Sequence, residues 1–136
     1  MISGLSARGH GPAAPRILLV DDDRGLLIPL AEQLRLDGFE VTTARDGDEA
    51  LRRLDTAWPD LLIIDLMMPR MDGLTLAKTL KGDPNVGNIP LVMLTAKSGP
   101  MDMITGINAG ARHYVTKPFK AADLIDKVKK ALNKHR

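Results

Sequence analysis

The sequence predicts an α/β domain built on a doubly wound sheet of five parallel strands with five helices. Three observations predict it. Five short apolar runs alternate with longer stretches of helical period, which is the sequence form of a parallel sheet covered on both faces. The runs are rich in the β-branched and large aliphatic residues expected of buried strands. The length of 136 residues, with 44% apolar and 26% charged side chains, fits one domain with a globular core.

The opening, Met1 to Pro15, mixes Gly, Pro, Ala and Ser and lacks the continuous apolar stretch of a secretory signal. It reads as a flexible lead-in or an appended remnant, which leaves residues 16–136 for the domain. The five strands fall at Ile17–Val20, Phe39–Thr43, Leu61–Ile64, Pro90–Leu94 and Arg112–Val115. Between the first two, Pro29 would remove one backbone donor and press on the carbonyl of Gly25, so a kink or a late helix start is expected. The second helix has Asp46 and Glu49 as a capping pair, with Leu51 and Leu54 on one face. The third starts near Asp72, carries Leu74, Ala77 and Leu80 at helical spacing, and stops at Gly82, Asp83 and Pro84. The fourth begins at Pro100, a tolerated first position, and ends at Ala109 and Gly110. The last runs from Ala121 to about Lys134.

Charge and composition exclude several classes. The formal charge of +2 is too small to imply a nucleic-acid or membrane partner, but its distribution is lopsided. Residues 112–136 carry eight basic and two acidic side chains, whereas residues 1–111 carry eleven basic and fifteen acidic. With no cysteine there is no disulfide, thiolate metal site or cysteine nucleophile. No apolar run approaches the roughly 18 residues that span a bilayer, and a soluble chain is expected.

In an open parallel sheet the carboxyl ends of the strands meet in one crevice, where sites form. Four of the five runs deliver a reactive side chain there: Asp21, Asp22 and Asp23 after the first, Asp65 after the third, Thr95 after the fourth and Lys117 after the fifth. A single Asp after a strand is usually a turn former or a cap. Together they imply more, because two carboxylates roughly 5 Å apart repel by about 3 kcal/mol at an effective dielectric of 20, which favours a compensating cation. Hard oxygen donors suggest Mg²⁺, which keeps positions open for phosphate oxygens. Lys117 adds a second positive charge and Thr95 a hydroxyl donor.

These residues resemble the response-regulator receiver domain of two-component signalling, over essentially all of residues 16–136. The resemblance rests on ILLVDDD at 17–23, LLIIDLMMPRMDGL at 61–74, MLTA at 93–96 and AGARHYVTKPF at 109–119, in the order and spacing of the family. It implies a flavodoxin-like topology, Asp65 as phosphoacceptor, and Mg²⁺ held by Asp21, Asp22, Asp65 and the backbone carbonyl of Met67. It also implies that Thr95 and Lys117 contact the phosphoryl group, that Tyr114 is a switch aromatic working with Thr95, and that Pro118 forms a cis-proline turn. Such a domain accepts a phosphoryl group from a histidine kinase or a histidine phosphotransfer protein and is not itself a turnover enzyme. Met67 and Lys97, each two residues beyond a site residue, are read as rim positions that tune the lifetime of the phosphate. His10, His113 and His135 occupy no strand-end position and are read as exposed.

Two rivals are weaker. A haloacid-dehalogenase-type phosphatase would share the Asp21-x-Asp23 pair, but it needs acidic residues at a later strand end, and after Lys117 only Asp123 and Asp126 remain, both in the last helix. A degenerate receiver that only binds partners would lack site residues, and every expected one is present. These residues leave no room for a DNA-binding or catalytic domain and resemble stand-alone, chemotaxis-type receivers, although a piece cut from a longer protein would look identical; within this length any effector is expected on another chain. Lys127, Lys129, Lys130, Lys134 and Arg136 make the last helix basic, as a solvated face or as part of a partner surface. Winged-helix regulators carry acidic residues after the AGA segment to pair across a dimer, where this chain has Arg112 and His113. The expectation is therefore a cytoplasmic monomer that meets a protein target through its 100–130 surface, without direct nucleic-acid or membrane contact.

Overall fold

A computed structural model describes residues 14–56, 58–65, 73–84, 87–95 and 111–135. Strands β1 (Arg16–Val20), β2 (Glu40–Ala44), β3 (Leu61–Asp65), β4 (Leu91–Thr95) and β5 (His113–Thr116) form one parallel sheet in the order β2-β1-β3-β4-β5. Helices α1 (Arg24–Leu36), α2 (Gly47–Thr56), α3 (Gly73–Lys81) and α4 (Ala121–His135) complete the described elements. The helix expected from Pro100, its start, and the opening to Ala13 lie outside the described residues, as does Asp72.

Alternate residues of each central strand feed opposite cores. Ile17, Leu19, Leu61, Ile63, Val92 and Leu94 pack with α1 and α4, whereas Leu18, Val20, Leu62, Ile64, Leu91 and Met93 pack with α2 and α3. This two-sided burial explains why the strands read as unbroken apolar runs rather than alternating ones. Most strands end one residue beyond the apolar run. Asp65 is laddered against Leu94, and Thr95 against Thr116, so polar residues close β3 and β4 from inside the sheet.

Of the kink or late start expected for α1, the late start does not occur. Asp23 caps the helix by accepting from Gly25 N–H at 3.0 Å, and the helix runs from Arg24 through Pro29. The proline removes one bond near the N-terminus, and burial of Leu27, Leu30, Ala31 and Leu34 outweighs that loss. At the other end Gly38 takes φ +100°. Gly38 N–H donates to Arg35 O at 3.0 Å and Phe39 N–H to Leu34 O at 3.1 Å, a Schellman closure. Nothing lies within 4 Å of a Cβ at Gly38, so substitution meets only backbone strain. Gly38→Ala is therefore expected to lower stability by about 1 kcal/mol with the fold retained, read as a lower urea midpoint at unchanged slope.

The capping pair of α2 forms with one adjustment. Asp46 Oδ1 accepts from Glu49 N–H at 2.8 Å, and Glu49 Oε1 accepts from Arg45 N–H at 2.7 Å, one residue before the cap. Between α2 and α3 a groove is lined by Leu54, Leu80 and Trp58, a residue 47% exposed, while Pro59 beside it is buried.

Candidate functional site

Asp21 follows β1 directly, and its N–H donates to Ala44 O at 3.0 Å, which ties the ends of β1 and β2 together. Its side chain is fully buried. Oδ1 accepts from Asp23 N–H at 2.9 Å, and Oδ2 forms an ion pair with Lys117 Nζ at 2.9 Å but has no hydrogen-bond partner among the described residues. Asp65, 5% exposed at the end of β3, places Oδ2 3.5 Å from the same ammonium. Asp22 is exposed at the mouth of the cleft. Carboxylate oxygens of Asp21, Asp22 and Asp65 lie within 4.8 Å of one another.

Asp21, Asp22 and Asp65 are the three carboxylates that the resemblance implied as metal ligands, and Asp23, the other acidic residue after β1, caps α1. Thr95, 5% exposed, ends β4 on the same rim, and its carbonyl accepts from Lys117 N–H at 2.6 Å. The Lys117–Pro118 peptide is cis, as the resemblance implied. Tyr114 is half-buried on β5, laddered against Met93 and packed against the core that α2 and α3 cover. Met67 and Lys97 lie outside the described residues. His113 is half-buried at the start of β5 rather than exposed, because it is laddered against Val92. Sequence reasoning missed the Ala44 carbonyl, which no side-chain pattern marks.

Burial, the largest single influence on Lys117, pushes its pKa down, but the adjacent Asp21 and then Asp65 carboxylates outweigh it and hold the pKa above the ordinary lysine value. The ammonium is thus the counter-charge of a carboxylate cluster. Asp21 Oδ2, a buried hard oxygen that faces the Lys117 ammonium without a hydrogen-bond partner among the described residues, has capacity for a cation, and the three carboxylates are the donor type that Mg²⁺ takes.

The profile of the response regulator receiver domain matches residues 17–129. The chain belongs to the response-regulator receiver family. Two-component signalling is therefore its functional context. This receiver chain is 42% identical over 124 residues to the transcriptional regulatory protein PrrA of Mycobacterium leprae, covering 91% of this chain and 52% of that protein. It is 41% identical over 120 residues to the DNA-binding response regulator MtrA of Mycolicibacterium smegmatis, covering 88% and 51%. The receiver chain thus spans about half the length of these curated relatives. Among solved structures, the chemotaxis protein CheY4 of Vibrio cholerae superposes with a TM-score of 0.83 at 31% identity, covering 88% of this chain and 99% of that one. The receiver domain of sensor histidine kinase PA1611 from Pseudomonas aeruginosa, solved with a magnesium ion in its active-site cleft, has a TM-score of 0.80 at 29% identity, covering 89% and 99%.

Proposed function

We propose that the receiver takes a phosphoryl group onto Asp65 from a phosphohistidine of a histidine kinase or a histidine phosphotransfer protein. The observation that carries this reading is the convergence of Asp21, Asp22, Asp65 and Lys117 at the carboxyl ends of three strands. An Asp65 carboxylate oxygen attacks phosphorus in line, the P–N bond breaks, and the imidazole leaves with the electron pair. Lys117 and the Thr95 hydroxyl donate to the phosphoryl oxygens, so the chain contributes positioning and charge rather than a general base. Asp21, Asp22 and Asp65, with the Met67 carbonyl, would hold Mg²⁺, which neutralises charge between acceptor and phosphate. Because the product stays bound to the chain, the domain is a phosphoacceptor that assists its own modification and not a turnover enzyme.

Transmission is assigned to Thr95 and Tyr114, which sit on adjacent strands, and to a protein target at the 100–130 surface. The α4 lysines support a largely solvated face, since Lys129 pairs with Asp37 at 2.9 Å and Lys130 with Asp126 at 3.1 Å. Arg112 and His113 argue against an acid–base dimer at this surface, so the unmodified domain is assigned as a monomer that does not itself touch nucleic acid. No described helix is long and apolar enough to cross a membrane, and we place the reaction in the cytoplasm. The domain is assigned to residues 16–136, and Pro15 ahead of it is already tied to β2 through its carbonyl, which accepts from Glu40 N–H at 3.0 Å. Met67 and Lys97 are assigned to the rim that sets the phosphate's lifetime.

The test is intact mass after incubation with a small acyl phosphate and Mg²⁺. One added phosphoryl group, lost with excess chelator, is expected, and unchanged labelling under chelation would contradict the site. Mg²⁺ alone should raise the melting temperature, because a ligand that binds only the folded state stabilises it by RT ln(1 + [L]/Kd). Asp22→Ala should lose most of that rise, and an equal rise in both proteins would place the ion elsewhere.

A further inference from the structure

The sheet order leaves β2 at one edge, paired among the described residues with β1 alone. Two bonds establish which of its residues face outward. Glu40 N–H donates to Pro15 O at 3.0 Å, and Ala44 O accepts from Asp21 N–H at 3.0 Å. In a parallel ladder a residue turns its N–H and its carbonyl toward the same neighbour, and the next residue turns both the other way. Glu40, Thr42 and Ala44 therefore address β1, while Val41 and Thr43 address the free edge.

Both outward carbonyls are held by arginines. Arg35, in the last turn of α1, donates from Nη2 to Val41 O at 2.9 Å. Arg53, in the last turn of α2, donates from Nε to Thr43 O at 3.3 Å. The Arg53 guanidinium is steered by Glu49, whose Oε2 accepts from Nη2 at 3.3 Å, and Glu49 is itself anchored by Arg45 N–H. Guanidinium groups from helices on opposite faces of the sheet thus converge on the outward carbonyls of one edge strand.

We infer that the free edge of β2 is a strand-pairing surface for a second copy of this chain, and that Arg35 and Arg53 hold it closed. The edge is self-complementary. Antiparallel pairing about a two-fold axis at Thr42 sets Val41 of one copy opposite Thr43 of the other, where residues of that parity exchange both their bonds. Every outward N–H and carbonyl is then matched, and Glu40 faces Ala44, so no like charges oppose. The acceptors in that pairing are the carbonyls the arginines occupy, so guanidinium and second strand compete for the same atoms. A bare edge is a template for another strand. A second copy carries the matching edge, whereas an unrelated partner would need a bare edge of its own.

The experiment compares wild type with Arg35→Met/Arg53→Met by sedimentation equilibrium at equal concentration, with circular dichroism to establish folding. Wild type is expected to stay monomeric, and the weight-average mass of the folded double variant to roughly double. Adding Thr43→Pro, which deletes an outward N–H and spares the β1 ladder, should restore the monomer. Arg53→Met alone leaves α1 untouched and should shift part of the population to dimer, so the inference stands or falls even where the double variant unfolds. Arg35→Lys/Arg53→Lys keeps cationic donors and should remain monomeric. Folded Met variants that stay monomeric, or a dimer that survives Thr43→Pro, overturn the inference.

Discussion

Asp65→Asn is expected to gain no phosphoryl mass under conditions where wild type gains one group per chain. The amide oxygen is a poor nucleophile toward phosphorus, and its adduct would carry positive charge beside Lys117, so the loss should exceed roughly a thousandfold. Structure is not the cause of that loss. Asn matches Asp in size, and the backbone of Asp65 stays laddered to Leu94 at the end of β3. Circular dichroism should therefore superpose on wild type while intact-mass time courses diverge. Labelling equal to wild type would move the acceptor away from Asp65.

Lys117→Ala should label at least about a hundredfold more slowly, because a preorganised cation aimed at the phosphoryl oxygens is removed. Lys117→Arg should also be impaired, since a longer planar group does not replace a compact ammonium. The same ammonium supports the fold. It is the ion-pair partner of a fully buried Asp21 oxygen, and stranding such an atom costs about 1–3 kcal/mol. With the lysine side chain 22% exposed, water screens the pair, and the lower end of that range is expected. The variant should accordingly melt a few degrees lower without Mg²⁺ and gain more from Mg²⁺ than wild type does, because no ammonium competes for the carboxylates. An unchanged Mg²⁺ response would show that Lys117 and the ion do not share Asp21. In wild type the raised pKa means that this contribution is fully present below pH 10.5 and is lost as pH rises through the folded value.

The sheet was legible because its strands are buried on both faces, which forces unbroken apolar runs such as Leu61–Ile64. The strand ends were less legible. A ladder continues into polar residues where the backbone still pairs, as at Asp65 and Thr95, and hydropathy carries no record of that. The site emerged from side-chain types after each run, yet Asp21, Asp22 and Asp23 look alike in sequence, and only geometry separates the cap Asp23 from the buried Asp21. The late start allowed for at Pro29 fails because the backbone penalty is local, whereas the burial that overrides it comes from packing of α1 on the sheet. Contacts made by backbone carbonyls, such as Ala44 with Asp21 or Val41 with Arg35, leave no trace in residue type.

The chain has a single tryptophan, Trp58, which lies three residues ahead of β3 while Asp65 stands at that strand's end. Roughly 20 Å of extended chain separates them. Its indole, seated between α2 and α3, has an emission set by how those helices close over it and by the water that reaches it. From that distance, a cation or phosphate arriving at the far rim is expected to leave that environment unchanged. Intrinsic fluorescence is therefore a spectator of the chemistry and a faithful gauge of unfolding, so titrations that mix ligand and denaturant can be followed at one wavelength without correcting for the ligand's own optical effect.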